Sequence, residues 1–138
     1  MTSEEIKGLY RRVLEALNAR DLDAAAALMA PTFVNHTPLP GEPPGVAGLH
    51  YRMGVLQTAF PDFRFSTEEA LVDGDKISTR GTISGTNTGS FMGLPPTGKQ
   101  VTVGYLDLVH FAGGKMTEHW AQMDQMGLMQ QLGAAPAP

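Results

Sequence analysis

Residues 100–124 read QVTVGYLDLVHFAGGKMTEHWAQMD, and this stretch decides the fold class. Two long runs rich in Thr or Val flank a Gly-Gly pair at 113–114, and glycine reaches the positive φ of a tight turn at little cost. The stretch therefore predicts a β-hairpin. Two further long runs, 63–72 and 76–88, precede it and are joined by Asp-Gly-Asp at 73–75, which predicts a second hairpin turn.

The N-terminal part of the chain has helical spacing instead. Apolar residues between 6 and 19 recur every three or four positions, which predicts an amphipathic helix. A second, alanine-rich helix starts at Asp21 and stops before Pro31, and a third spans about 46–60. Three helices followed by four hairpin-connected strands predict an α+β fold with an antiparallel sheet. Glycines inside the strands indicate sharp bending, so we expect a cone-shaped barrel in which helices close a curved sheet over a pocket.

The length of 138 residues fits one domain, and neither an internal repeat nor a linker divides the chain. We therefore expect a single domain over residues 1–133, which ends in a short helix at 126–132. The last residues, 134–138, form an Ala-Pro tail that we expect to be disordered. Residues 33–37 form a short strand-like segment between the second and third helices.

The composition argues against nucleic-acid binding, membrane insertion and thiolate chemistry. Charged residues make up 17% of the chain, the net charge is −4, and the ten Lys and Arg residues do not form a basic stripe. No apolar run approaches the roughly 20 residues that span a bilayer, and the acidic N-terminus lacks the apolar core of a signal peptide. Cysteine is absent, which excludes disulfides and thiolate chemistry. We expect a cytoplasmic protein that binds neither nucleic acid nor a membrane.

The final hairpin carries most of the residues that could do chemistry. Because side chains alternate along a strand, Glu118, Trp120 and Asp124 share one face of the second strand. His110 lies on the first strand, and the turn decides whether it joins them. A two-residue Gly-Gly turn puts His110 on the opposite face from Glu118, whereas a three-residue loop with a glycine bulge puts all four residues on one face.

The two registers differ in the partner of Phe111, which is Met116 for the two-residue turn and Lys115 for the bulged loop. Patterning does not choose between them, since a slip of one residue moves every side chain to the other face. We favour the bulged register, with Gly114 as the left-handed residue. If the face with His110 lines a pocket, it brings a carboxylate and an imidazole together, and both groups suit general acid–base catalysis near neutral pH.

Several of these residues also have a purely structural interpretation. Asp124 ends its strand and could cap the last helix, and a lone strand histidine such as His110 is often a core or edge residue. Asn35 and His36, in the sequence Asn-His-Thr-Pro, either line the mouth of the pocket or belong to a turn.

Two other polar side chains lie on predicted strands. Arg80 lies in the middle of a strand and either faces solvent, which we favour, or binds an anion. His119 points away from Trp120, and we expect it to be exposed.

Nucleotide and metal sites are not supported. Residues 93–100 nearly match the phosphate-binding loop G-x-x-x-x-G-K-[ST], but Gln100 replaces the hydroxyl residue, two prolines remove amide donors and a strand follows. The four histidines lack ligand spacing, and there is no thiolate to join them. We therefore expect neither a metal ion nor a nucleotide to be bound.

Several motifs together resemble the SnoaL-like polyketide cyclases, many of which are called ester cyclases. The resemblance extends from about residue 5 to 133. The motifs that carry it are NHTP at 35–38, AFPD at 59–62, GTNTGSFMGLPPTGK at 85–99, GKMTEHW at 114–120 and DQMGLMQQLG at 124–133.

The resemblance implies an NTF2-like α+β cone, often a homodimer or homotetramer through the outer face of the sheet. It also implies ring closure by intramolecular aldol condensation of a polyketide ester, without metal or cofactor. By position, Asp124 matches the aspartate that serves as general acid and base. His110 matches a histidine beside the carbonyl of the substrate.

We therefore expect a small hydrophobic, carbonyl-containing substrate, with Asp124 and His110 as catalytic residues. The expected substrate-binding residues are Asn35, His36, Arg80, Glu118 and Trp120. Two alternatives remain open. One is another pocket reaction, either isomerisation or an epoxide hydrolysis in which Arg80 and Asp124 supply part of an Asp-Arg-Asp set. The other is a small-molecule binding module without catalysis.

Overall fold

The computed structural model of the chain describes residues 1–134, and this part contains four helices and five strands. The elements in chain order are α1 (Ser3–Asn18), α2 (Leu22–Ala27), β1 (Met29–Asn35), α3 (Gly45–Ala59), β2 (Arg64–Asp73), β3 (Lys76–Thr86), β4 (Gln100–Ala112), β5 (Lys115–Met123) and α4 (Gln125–Leu132). The α+β class and the three N-terminal helices are confirmed. Of the predicted tail, only Ala134 lies within the described residues.

The five strands form one curved sheet in the order β1-β5-β4-β3-β2. The four strands predicted from the hairpin signals pair antiparallel, as expected. The prediction of an entirely antiparallel sheet is wrong, because β1 pairs parallel with β5, with Asn35 opposite His119. The strand-like segment predicted at 33–37 overlaps β1, which begins earlier, at Met29. The sequence gives no sign of its parallel pairing, because β1 is short and contains Pro31. Proline is tolerated there because β1 is the edge strand.

The helices cover one face of the sheet, and the core lies between them. Along β4 every second residue from Val101 to Phe111 is buried, which identifies the inner face of the sheet. Helix α1 turns its apolar stripe, from Ile6 to Leu17, toward this face. Ile6 and Val109 are almost completely buried, and each such side chain stabilises the fold by about 1.5–3 kcal/mol.

The final hairpin combines a tight turn with a bulge. Gly113 and Gly114 both have positive φ, 58° and 81°, and they form a two-residue turn that pairs Phe111 with Met116. The predicted three-residue loop, with Phe111 opposite Lys115, is therefore wrong. The register shifts between His110 and Phe111, so that Thr117 is the extra residue and His110 lies opposite Glu118. His110 and Glu118 therefore share one face, as the bulged register predicted, but the bulge lies in the strand and not in the turn.

No helix in residues 1–134 has the length and apolar character needed to cross a membrane.

Candidate active site

A cavity of about 370 Å³ lies between the helices and the inner face of the sheet. Its wall is largely apolar, and the apolar residues include Val13, Leu17, Phe33, Leu49, Met53, Phe65, Val109 and Met116. The polar residues that line it are Tyr10, Thr37, Arg52, Tyr105, Asp107, His119, Gln122 and Gln125. A mostly apolar cavity with a few polar groups is typical of a small-molecule site.

Asp107 is the acidic residue that lines this cavity within the described part of the chain, and it is only 8% exposed. It lies on the inner face of β4, between Tyr10 of α1 and Thr79 of β3. The Tyr10 hydroxyl donates to Asp107 Oδ2 at 2.6 Å, while the Thr79 hydroxyl and amide donate to Oδ1 at 2.7 and 3.0 Å. Three elements therefore hold the carboxyl group in one orientation.

The surroundings of Asp107 stabilise both of its protonation states. Burial raises the pKa of Asp107, and the hydrogen bonds from Tyr10 and Thr79 oppose that rise. The Tyr10 and Thr79 hydroxyl oxygens lie 2.9 Å apart, so three oxygen–oxygen contacts close a ring with the carboxyl group. When Asp107 is ionised, the Tyr10 and Thr79 hydroxyls both donate to it, and no proton lies between the two hydroxyl oxygens. When Asp107 is protonated, the carboxyl group can donate to one hydroxyl, which then donates to the other, so that each of the three contacts contains one proton. The ring can therefore accept and release one proton without moving its side chains.

Tyr105 lies two residues before Asp107 on the same face of β4. Its hydroxyl is buried and has no hydrogen-bond partner within residues 1–134. Burial raises the pKa of Tyr105, so the phenol keeps its proton and remains a donor. The ring lies over Gly81 of β3, where a Cβ atom would be 2.6 Å from the Tyr105 hydroxyl and 2.5 Å from the Ser66 carbonyl oxygen. Glycine at position 81 is therefore needed to admit this tyrosine.

His119 is the third titratable group on the inner face of the hairpin, after Asp107 and Tyr105. The Asn35 amide nitrogen donates to Glu42 Oε2 at 2.9 Å, so the Asn35 oxygen accepts, and it lies 3.3 Å from His119 Nδ1. This network assigns the proton of the imidazole to Nδ1 and leaves a lone pair on Nε2. Burial, and to a lesser extent the charge of Arg52, lowers the pKa of His119 to about 3. The ring is therefore neutral at physiological pH.

The expectation that His119 is exposed is wrong. The side chain does point away from Trp120, as alternation predicts, but this side of the sheet is the cavity side. Asp107 faces Ala121 across the β4–β5 pair, and His119 is the next inward residue on β5. Asp107 and His119 are thus diagonal neighbours, about 7–8 Å apart, and Val109 and Ala121 occupy the other diagonal of the same face.

The predicted pair of His110 and Asp124 does not face the cavity. His110, Glu118 and Trp120 do share one face, as predicted, but it is the outer face, because Val109 and His119 point inward. His110 Nδ1 lies 3.7 Å from Glu118 Oε1 and its ring is tilted against Trp120. The prediction that these residues line the pocket is therefore wrong.

His36 belongs to the same outer cluster. Its ring stacks on Trp120 with centroids 4.3 Å apart, and its Nε2 atom lies 2.9 Å from Glu118 Oε2. The predicted position of His36 at the pocket mouth is wrong. Asn35, in contrast, points to the other side and orients His119.

Asp124 and Arg80 have structural roles. Asp124 is exposed and is the N-cap of α4, since its Oδ1 atom accepts the Gly127 amide at 2.9 Å. The capping interpretation is thus confirmed. Arg80 is exposed on the outer face, where its Nε atom lies 3.7 Å from Glu69 Oε1, so the solvent-facing interpretation is also confirmed.

Sequence reasoning missed Asp107, Tyr10, Tyr105, Arg52 and His119. A signal for Asp107 was present, because it replaces an apolar residue in the buried alternation that runs from Val101 to Phe111. Tyr10 and Arg52 gave no such signal, since each is one polar residue on a helix. No group of three or more His, Cys, Asp or Glu side chains in residues 1–134 is arranged to hold a metal ion.

Comparison with known proteins identifies the family of the chain. The family model described as SnoaL-like polyketide cyclase matches residues 7–132. The aklanonic acid methyl ester cyclase AcmA of Streptomyces galilaeus is 28% identical over 137 residues, which cover 95% of this chain and 92% of AcmA. The aklanonic acid methyl ester cyclase DnrD of Streptomyces peucetius is 26% identical over 128 residues, 91% of this chain and 88% of DnrD.

A solved structure with the same fold is AclR of Streptomyces galilaeus, a candidate hydroxylase. It superposes with a TM-score of 0.87 at 27% identity and covers 99% of this chain and 89% of its own. The match of the family model over nearly all of the described residues, together with the two cyclase relatives, establishes the family. The chain belongs to the SnoaL-like polyketide cyclase family.

Proposed function

We propose that the protein is a cofactor-independent cyclase that closes a ring by intramolecular aldol condensation. Its substrate is a polyketide ester or a related small carbonyl compound. The observation that carries this proposal is Asp107, a carboxyl group held in an apolar cavity by two hydroxyl donors and one amide donor. The names of the two curated relatives, both aklanonic acid methyl ester cyclases, support the reaction class.

Asp107 is the general base and acid of the proposed reaction. In its ionised form it takes a proton from a carbon between two carbonyl groups. The resulting enolate carbon attacks a different carbonyl carbon, elsewhere in the same molecule, and a C–C bond forms. The new alkoxide then takes the proton back from Asp107. A general acid–base group of this kind contributes about 10²–10⁴-fold to the rate.

Tyr105 is proposed as the donor to the oxygen that becomes negative. Its hydroxyl has no protein partner in the described structure and lies on the same face as Asp107. A fixed donor in an apolar cavity stabilises a developing enolate more than the ground-state carbonyl. His119 cannot act as an acid, because its Nε2 atom carries a lone pair, and we assign it to accept a hydrogen bond from a hydroxyl or enol of the substrate.

The apolar wall orients the rest of the substrate. A volume of about 370 Å³ admits a small carbonyl compound, and the few polar groups lie together on β4, β5 and the facing helices. Holding the two reacting carbons of one molecule in contact removes much of the entropic barrier to ring closure.

The test is turnover of aklanonic acid methyl ester and related β-keto esters by matched variants. D107N keeps the shape of the side chain but cannot accept the proton, and we expect at least a 100-fold loss of kcat. D124N is the control, and we expect it to keep activity within about threefold and to keep the cap of α4, because Asn caps a helix about as well as Asp. Loss of turnover in D124N with full activity in D107N would reverse the assignment.

A proton-transfer isomerase is the second candidate, because Asp107 and Tyr105 would serve it equally well. In that reaction the proton returns to a different carbon and no ring forms. Epoxide hydrolysis is less well supported, since Arg80 and Asp124 lie outside the cavity and Asp107 is the acidic residue that lines it among residues 1–134. Incubation of a ketone substrate in deuterated water separates the candidates. An isomerase yields a product with deuterium on a different carbon and no new ring, whereas a cyclase yields a product with a new ring.

A further inference from the structure

His119 presents to the cavity an atom that no protein group uses. Its Nε2 atom makes no hydrogen bond within residues 1–134 and is not fully buried, whereas its Nδ1 atom lies 3.3 Å from the Asn35 oxygen. The nitrogen that holds the proton of a neutral imidazole donates, and the other nitrogen accepts. What a ligand meets at Nε2 therefore depends on the hydrogen bond that Nδ1 makes with Asn35.

The orientation of the Asn35 amide is fixed from two sides. Its nitrogen donates to Glu42 Oε2 at 2.9 Å, and a carboxylate can only accept. Its oxygen accepts the Thr37 amide at 3.1 Å, and a backbone N–H can only donate. Turning the Asn35 amide over would place two donors against each other at Thr37 and two acceptors against each other at Glu42. The oxygen is therefore held toward His119, which keeps its proton on Nδ1.

The charges around this network also keep the imidazole neutral. Glu42 is held in place by the Leu39 amide, which donates to Oε1 at 3.3 Å, and its negative charge acts on Arg52. Burial and, to a lesser extent, the positive charge of Arg52 keep His119 from taking a second proton. Because Glu42 offsets the charge of Arg52, this corner of the cavity offers an uncharged acceptor and suits a neutral hydroxyl group.

We propose that Asn35 is a positioning residue that holds His119 as a hydrogen-bond acceptor, so that the cavity selects a substrate with a free phenolic or enolic hydroxyl group over its methyl ether. This inference rests on the proposed function and narrows its substrate class to hydroxylated polyketide esters. Since His119 is the diagonal neighbour of Asp107, the hydroxyl belongs to the part of the substrate that carries the acidic carbon. The Asp107 carboxylate is a poorer acceptor for this hydroxyl, because it already accepts three hydrogen bonds from the protein.

The test is binding of a matched pair of probes, 2-naphthol and 2-methoxynaphthalene, measured by fluorescence titration at pH 7. Both probes are neutral and can accept a hydrogen bond, but only the naphthol can donate one. The ratio of their two affinities, naphthol over ether, therefore reports an acceptor in the cavity. N35L keeps the approximate size of the side chain without its oxygen, so the proton of His119 can move to Nε2 and the ether can accept it. We expect the ratio to fall about fivefold in N35L, the typical effect of one hydrogen bond.

The matched control is H36Q, which changes the next residue along β1 and its stacking on the outer face but not the Asn35 oxygen. We expect H36Q to keep the wild-type ratio within about twofold, because a general loosening of this segment does not change the proton of His119. An equal fall in H36Q and N35L would overturn the proposal, and so would an unchanged ratio in N35L.

Nitrogen-15 NMR of the imidazole rings gives a readout that a purely structural role of Asn35 would not change. In the wild-type protein at pH 7 we expect the His119 signals, assigned by their loss in H119Q, to show a neutral ring with its proton on Nδ1. In N35L the signals should move toward those of the tautomer with the proton on Nε2. A proton on Nε2 in the wild-type protein would overturn the proposal, and this measurement holds even if N35L does not fold.

D107N separates this proposal from the catalytic one. If D107N is inactive while N35L keeps the wild-type ratio, the role of Asn35 fails and that of Asp107 stands. If D107N turns over substrate normally while N35L loses the preference for the naphthol, the reverse is true. A ratio that falls in D107N and not in N35L would assign the hydroxyl of the probe to Asp107 and overturn the role of Asn35.

Discussion

Each face of the β4–β5 hairpin has one carboxylic acid and one histidine, but the two faces differ in their surroundings. The inner face has Asp107 and His119, and the outer face has His110 and Glu118. On the inner face burial raises the pKa of Asp107 and lowers that of His119 to about 3, and both side chains line the cavity. On the outer face Glu118 lies between His110 and His36 at the surface of the sheet. The comparison teaches that position on the strand, and not residue type, decides which pair is available for chemistry.

The largest expected difference between the faces is in acid stability. Since the pKa of folded His119 is about 3 and the unfolded value is about 6.5, the unfolded state binds a proton that the folded state does not. The free energy of unfolding therefore falls as the pH decreases from about 6.5 to 3, by about 1.4 kcal/mol per unit at most. H119Q should flatten this slope in urea titrations, and H110Q should not.

An equal slope in the wild-type protein and H119Q would contradict the buried, neutral state of His119. Asp107 acts in the opposite direction, because a raised carboxyl pKa adds stability below about pH 4 that is lost as the pH rises through the folded pKa. Measuring H119Q in the D107N background separates the two contributions.

A smaller effect is expected from the ring of hydroxyl groups around Asp107. The hydrogen bond from Tyr10 lowers the pKa of Asp107, so Y10F should raise that pKa. The acidic limb of the kcat/KM profile then moves to higher pH, and kcat falls about tenfold, as expected for the loss of one hydrogen bond to a charged group. A profile that moves to lower pH would show that Tyr10 does not stabilise the carboxylate.

The smallest effect is expected on the outer face. W120A removes the stacking with His36 and the contact with His110, which costs about 0.5–1.5 kcal/mol of stability beyond the area lost. It should not change KM for aklanonic acid methyl ester, because Trp120 does not line the cavity. A clearly raised KM in folded W120A would show that the outer face takes part in substrate recognition.

The sequence was sufficient to predict the helices and the hairpins of the fold, because residues close together in the chain determine these elements. Apolar spacing located α1, and glycine turns located the hairpins. It was not sufficient for the site, because the Thr117 bulge and the side of the sheet that the helices cover depend on tertiary packing. The same limit explains the missed parallel pairing of β1. The tail, the oligomeric state and the cytoplasmic location stay predictions.

The central claim is that Asp107 is the proton-transferring group of the cavity. Carbon-13 NMR of the side-chain carboxyl groups, titrated from pH 2 to 9, tests it most directly. The account predicts that the resonance that disappears in D107N titrates above the ordinary aspartate value of about 3.9 and moves further upward in Y10F. A midpoint at or below that value would contradict it, because a carboxylate of ordinary acidity is a weaker base than the one that burial creates at Asp107.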